Sequence, residues 1–123
     1  MIRRCLIVDD NQRFLDVARS SLERQGLDVV ATAKNIDEAM KAAAAHHPDV
    51  VLVDIALGTE SGFDLARRLV EEFPELRSRV VLISTRGEED YAELIDASPV
   101  AGFLPKTLLT ATGIRGLLGS AQE

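Results

Sequence analysis

The sequence predicts an α/β fold: a doubly wound, five-stranded parallel sheet in the order 2-1-3-4-5, with five helices. Short apolar runs alternate with helical patterns from end to end, as repeated strand–helix–strand units require. The run Val50 to Val53 is the most continuous and reads as a central strand buried on both faces. Asp9 and Asp10 close the run Cys5-Leu6-Ile7-Val8, Asp54 closes the central run, and Lys106 follows Val100 to Leu104. In parallel strands these positions share one edge of the sheet, where open α/β folds have their ligand crevice.

Arg4 to Val8 is the first strand. Asn11 to Gln25 follows as a helix with Phe14, Leu15, Ala18 and Leu22 on one stripe, stopped by Gly26. Leu27 to Thr32 reads as the second strand. Asn35 caps the next helix, with Glu38 at the capping-box position and Pro48 beyond its end. After the central strand, Leu57 to Gly62 reads as a loop, and a helix runs through Phe63, Leu65, Ala66, Leu69 and Val70 to Phe73-Pro74. Arg79 to Ile83 is the fourth strand, Glu89 to Ala97 the fourth helix and Val100 to Leu104 the fifth strand. The last helix spans about Leu109 to Leu118 and is intrinsically weak, because Gly113, Gly116 and Gly119 each cost about 1 kcal/mol against Ala.

At 123 residues the chain is expected to be one domain, 1–123, without a linker or repeat. A net charge of −6 argues against nucleic-acid binding, which needs a basic footprint. No apolar stretch approaches the roughly 18 residues of a membrane span, and no signal-peptide core precedes the first strand. Cys5 is the single cysteine and reads as a small core residue rather than half of a disulfide. The expected location is the cytoplasm. His46-His47 is a solvated helix end, since neighbours on a helix do not face each other. The acids Glu88-Glu89-Asp90 suit the start of the fourth helix.

In the order 2-1-3-4-5 the first and third strands are neighbours, about 4.8 Å apart. Asp9 and Asp10 then stand one strand spacing from Asp54. Two carboxylates about 5 Å apart repel by roughly 3 kcal/mol at an effective dielectric near 20, so the cluster calls for a cation. Oxygen ligands alone favour Mg²⁺, with Mn²⁺ as the alternative, over zinc. Lys106 lies two strands from Asp54, within reach of its flexible stem, and Ser84 with Thr85 offers a hydroxyl between them. Carboxylate, metal, hydroxyl and ammonium converging on one point make a site for a phosphoryl group. A carboxylate can be the nucleophile, and Asp54 is the central one. Taken alone, Asp9-Asp10 also fits a pair of helix-capping acids.

The runs Leu6-Ile7-Val8-Asp9-Asp10 and Val51-Leu52-Val53-Asp54-Ile55, the Ser84-Thr85 pair and Gly102-Phe103-Leu104-Pro105-Lys106 together resemble the receiver domain of two-component response regulators. The resemblance covers the whole chain. It implies the flavodoxin-like fold and a phosphoryl group accepted by Asp54 from a histidine kinase or phosphotransfer protein. It further implies Mg²⁺ on Asp10, Asp54 and the backbone carbonyl of Ala56, with Asp9 acting through water. Ser84, rather than Thr85, would be the switch hydroxyl, Lys106 the phosphate partner and Phe103 the aromatic that follows the switch. Ala56 and Arg86 flank the site as candidates for setting the dephosphorylation rate. The output would be a protein target or an output domain absent from this chain, with a phosphorylation-dependent homodimer as one form. The chain is then a stand-alone receiver or part of a longer regulator, and not a turnover enzyme on a metabolite.

The sequence departs from the family pattern at several points. Thr107 follows the lysine where a cis-linked proline is usual, and a cis bond there costs about 2.5–4 kcal/mol. Leu57-Gly58 replaces Met-Pro, Pro99 stands for a glycine, and Phe103 lacks the hydroxyl of the commoner Tyr. Two other readings use the same crevice. A flavin binder needs a Ser/Thr/Gly-rich first loop, where this chain has Asp9-Asp10-Asn11, and aromatics to sandwich the ring. A phosphohydrolase with an aspartate nucleophile usually needs a second acid where Ala56 stands.

Overall fold

A computed structural model of the chain describes residues 3–85 and 91–122. The strands are β1 (Arg4–Val8), β2 (Asp28–Ala33), β3 (Val50–Asp54), β4 (Ala56–Leu57), β5 (Glu60–Ser61), β6 (Val80–Ser84) and β7 (Gly102–Pro105). The helices are α1 (Gln12–Arg24), α2 (Ile36–His46), α3 (Gly62–Glu72), α4 (Ala92–Asp96) and α5 (Ala111–Gln122). Five strands pair in parallel in the order β2-β1-β3-β6-β7. That is the expected 2-1-3-4-5 order once the small β4–β5 hairpin is set aside.

Period-two alternation splits the sheet's side chains between two helical layers. Leu6, Val8, Val51, Val53, Leu82 and Phe103 pack with Ala39, Leu65, Leu69 and Ile95 from α2, α3 and α4. Cys5, Ile7, Leu52, Val81 and Ile83 pack with Leu15, Leu22, Ile114 and Leu118 from α1 and α5. The central strand β3 is buried along its full length, as its unbroken apolar run predicts. Burial pushes the Cys5 thiol up to about 12, the behaviour of an inert core residue.

Helix ends follow their local chemistry. α1 ends in a Schellman motif: Gly26 takes φ 96°, its N–H bonds the Glu23 carbonyl, and Leu27 N–H bonds the Leu22 carbonyl. Asn35 caps α2 by accepting from Glu38 N–H at 2.8 Å. The return arm of the capping box is displaced: Glu38 Oε1 accepts from Lys34 N–H rather than from Asn35. His46 and His47 are an exposed helix end, as expected.

Several sequence expectations need correction. Of the segment read as a loop, Leu57 to Gly62, the part up to Ser61 folds into the β4–β5 hairpin, turned at Gly58 (φ 64°), and Gly62 already opens α3. Its two-residue strands are too short to leave a period-two signal, and only the Gly-Thr turn marks it. β2, β6 and β7 each begin and end one or two residues later than the apolar runs suggested, because strand pairing runs on to Ala33, Ser84 and Pro105. α5 is longer than its glycines suggest, reaching Gln122, because Ile114 and Leu118 anchor it to the sheet. The expected start of the fourth helix at Glu89, with Glu88 and Asp90, lies outside the described residues, as does Arg86. The Lys106–Thr107 bond is trans, and Lys106 opens a 3₁₀ turn ending at Leu108.

Candidate functional site

Parallel pairing brings the carboxyl ends of β1, β3, β6 and β7 to one edge. Val8 is level with Val53 on the adjoining strand, so Asp9 and Asp54 leave the sheet side by side. Asp54 is level with Ile83, and Ser84 with Pro105, which puts the hydroxyl and Lys106 just beyond the phosphoacceptor candidate. Asp9, Asp54 and Ser84 are the buried polar residues of the described chain. Asp10 is exposed at the mouth.

The three acids each offer a carboxylate oxygen within 4.8 Å of the others. Asp9 Oδ1 accepts from Asn11 N–H at 2.9 Å, and Asp54 Oδ1 accepts from Ala56 N–H at 3.2 Å. Lys106 reaches across β6 and donates to Asp54 Oδ2 at 3.2 Å. It stands closer still to Asp9 Oδ2, at 2.6 Å, so its stem spans further than the two strands expected. That approach to Asp9 is an ion contact outside hydrogen-bonding geometry. Asp9 Oδ2 is therefore a buried oxygen with no hydrogen bond among the described residues.

The electrostatics follow from burial. The Asp54 carboxyl is pushed up to about 6 from an ordinary 3.8, first by desolvation and then by the Asp9 charge. The Ala56 amide and Lys106 pull the other way and only partly offset this. Burial works to lower the Lys106 ammonium, but the two acids beside it outweigh burial and raise it.

Among the described residues, three carboxylates face one ammonium, a shortfall of two positive charges. A deeply buried acid, an all-oxygen donor set and that deficit all suit a hard divalent cation. Mg²⁺, with ligands at about 2 Å and retained waters, fits the open, exposed side at Asp10.

The chain leaving the β4–β5 hairpin packs tightly on the end of β3. Gly62 N–H bonds the Ile55 carbonyl at 2.7 Å, and a Cβ at Gly62 would overlap the Asp54 carbonyl oxygen. Only glycine permits that approach. Glu60 Oε1 accepts from Ile36 N–H at 3.0 Å, tying the hairpin to the start of α2. These two residues were not singled out in the sequence, where the one signal is a glycine opening an apolar helix. Ser84 lies on the same sheet face as Leu82 and Phe103, and Phe103 is packed inward at 8% exposure. Thr85 is exposed beyond the strand.

The family model for the response regulator receiver domain matches residues 5–114. The chain belongs to this family. Receiver domains carry out two-component signalling, with phosphorylation and Mg²⁺ bound at an acidic site as family traits. A protein-glutamate methylesterase/protein-glutamine glutaminase of Oleidesulfovibrio alaskensis is 32% identical over 87% of this chain and 29% of its own length. The polar-differentiation response regulator DivK of Brucella ovis is 32% identical over 73% of this chain and 75% of its own length. The receiver chain spans only 29%, 24% and 20% of three methylesterase relatives it matches. Among solved structures, the signal receiver domain of NarL from Mycobacterium tuberculosis superposes with a TM-score of 0.79 at 29% identity, covering 98% of this chain and 97% of that one. A Burkholderia pseudomallei response regulator described with a phosphorylated aspartic acid, calcium ion and citrate gives 0.81 at 27% identity, covering 98% and 71%. Among the described residues, no helix is long and apolar enough to cross a membrane.

Proposed function

We propose that Asp54 is the phosphoacceptor of this receiver domain, and that its phosphorylation switches a partner-binding surface. The observation that carries the reading is the Asp9–Lys106–Asp54 contact: a buried acid beside an ammonium, at the carboxyl end of the central strand. The domain is taken as one unit over 1–123. A histidine kinase or phosphotransfer protein would be the donor, and the setting cytoplasmic. The output would be a protein target, a homodimer or an output domain elsewhere.

Asp10, Asp54 and the Ala56 carbonyl would hold Mg²⁺ directly, with Asp9 through water. When bound, the ion neutralises charge on the phosphoryl oxygens. The chain's own residues do the rest. An Asp54 carboxylate oxygen attacks phosphorus, the P–N bond of the donor phosphohistidine breaks, and the departing imidazole keeps the bonding pair and takes a proton. From its place between Asp9 and Asp54, Lys106 donates to the new phosphoryl oxygens. Ser84 donates its hydroxyl to them, and the inward seat of Phe103 follows that movement. Exposed Ala56 leaves the acyl phosphate open to water, so dephosphorylation is the chain's own slow reaction rather than turnover of a metabolite. The Burkholderia relative's phosphorylated aspartate supports this reading.

Incubation with Mg²⁺ and acetyl phosphate, followed by intact mass, tests it. One phosphoryl group is expected on the wild type, none without Mg²⁺ and none on Asp54→Asn. Full labelling of Asp54→Asn would overturn the assignment.

A further inference from the structure

Phe14 stands on the apolar stripe of α1, but unlike Leu15, Ala18 and Leu22 it is not fully buried. Its ring lies beneath the Lys106 ammonium, with Nζ 4.3 Å from the ring centroid. At that distance a cation is attracted by the negative face of the ring. We infer that Phe14 is a positioning residue for Lys106, holding the ammonium at the point between Asp9 and Asp54 where it meets a phosphoryl group. The inference rests on the phosphoacceptor reading of Asp54.

A closed circuit of contacts supports it. Asp9 Oδ1 accepts from Asn11 N–H at 2.9 Å, and Asn11 Oδ1 accepts from Phe14 N–H at 3.1 Å as the cap of α1. The ring of Phe14 then meets Lys106, which returns to Asp9 Oδ2 at 2.6 Å. The acid at the end of β1 thus sets both the ring and the charge above it.

The chemistry of the ring suits the task. A fourth acid in that place would add negative charge to a cluster already short of cations. An aliphatic side chain would exclude water without orienting the ammonium. The ring face does both and takes no hydrogen bond that the phosphoryl oxygens need. Lysine has a long flexible stem, and a fixed seat lowers the ordering cost when the phosphoryl group arrives.

The test uses Phe14→Leu and Phe14→Met, which keep apolar volume without the ring, and Phe14→Tyr, which keeps the ring. Two readouts are taken on each full chain. The first is the Lys106 Cε proton resonance without any phosphodonor, assigned by its loss in Lys106→Met. Ring current should move it upfield in wild type and Phe14→Tyr, and release it in Phe14→Leu and Phe14→Met. The second is the rate of Mg²⁺-dependent phosphorylation by acetyl phosphate. It should fall about three- to tenfold in Leu and Met and stay within about twofold in Tyr, the range of a partly desolvated cation–ring contact. If Leu fails to fold, Met carries the same comparison. Unshifted Lys106 protons in the wild type, or unchanged rates in the ringless variants, would overturn the inference. Failure of the phosphoacceptor reading is distinguishable: the wild type would not label, or Asp54→Asn would label fully, while the resonance shift would persist.

Discussion

Two acids sit at opposite ends of the central sheet and lead different lives. Asp49 lies just before β3 at the amino edge, where its Oδ2 accepts from Arg3 N–H at 3.1 Å and Arg4 N–H at 2.9 Å. Asp9 lies just after β1 at the carboxyl edge, fully buried, with no hydrogen bond to Oδ2 among the described residues and the Lys106 ammonium 2.6 Å away. Asp49 is satisfied by backbone groups and joins β1 to the start of β3. Asp9 and its neighbours carry charge that Lys106, the cation in contact with them among the described residues, only partly offsets. An acid with its oxygens used by the backbone is part of the scaffold, whereas an acid whose partners fall short marks a place for a ligand.

The contrast is broken most sharply by replacing one acid at each edge. Asp54→Asn should abolish phosphorylation by acetyl phosphate with the fold intact. Asp49→Ala should retain phosphorylation and lose roughly 1.5–3 kcal/mol of stability in urea melts, the range for hydrogen bonds to a charged group. Loss of labelling in folded Asp49→Ala would erase the distinction.

A second substitution tests how rigidly the carboxyl edge is built. Gly62→Ala should cost about 2–3 kcal/mol, because its Cβ overlaps the Asp54 carbonyl and meets Ile55 Cα at 2.8 Å. It should also slow phosphorylation by displacing Asp54, and an unchanged melt with unchanged rate would show the approach to be dispensable.

The carboxyl edge should also betray itself in pH dependence without metal. Folding raises Asp54 to about 6, so the native state holds that proton more tightly than the unfolded chain. The resulting stability is fully present below the ordinary 3.8 and is lost as pH rises through about 6. Without metal, Asp54→Asn should therefore melt above wild type at pH 7.5, with the gap closing toward pH 4–5 in a pH series. Saturating Mg²⁺ should reverse the order at neutral pH by stabilising only the wild type. A gap that widened on acidification would have the wrong sign.

The smallest effect belongs far from the site. Gly116 is exposed on α5, and a Cβ there meets nothing within 4 Å. Gly116→Ala should add about 0.5–1 kcal/mol to stability and leave phosphorylation unchanged.

What the sequence revealed follows from which signals are local. β3 and the strand order were legible because Val50 to Val53 is buried on both faces and Asp9, Asp10, Asp54 and Lys106 mark strand ends. That Asp9, Asp10, Asp54 and Lys106 come together was legible for the same reason. The hairpin at Ala56 to Ser61 was not, since its strands are too short to show a period. The Glu60–Ile36 hydrogen bond joins residues 24 apart, and no local pattern announces it. Phe14 was read as core, because an apolar stripe does not say which member lies at the rim facing a charge. The closeness of Lys106 to Asp9 depends on a side chain crossing β6, which spacing bounds but does not fix.

The most direct test is to trap the phosphorylated residue chemically. Borohydride reduces an acyl phosphate of aspartate to homoserine, which survives digestion and tandem mass spectrometry. After acetyl phosphate and Mg²⁺, homoserine is expected at position 54 alone. Homoserine at Asp9, Asp10 or Asp49 with Asp54 intact would contradict the assignment of the phosphoacceptor.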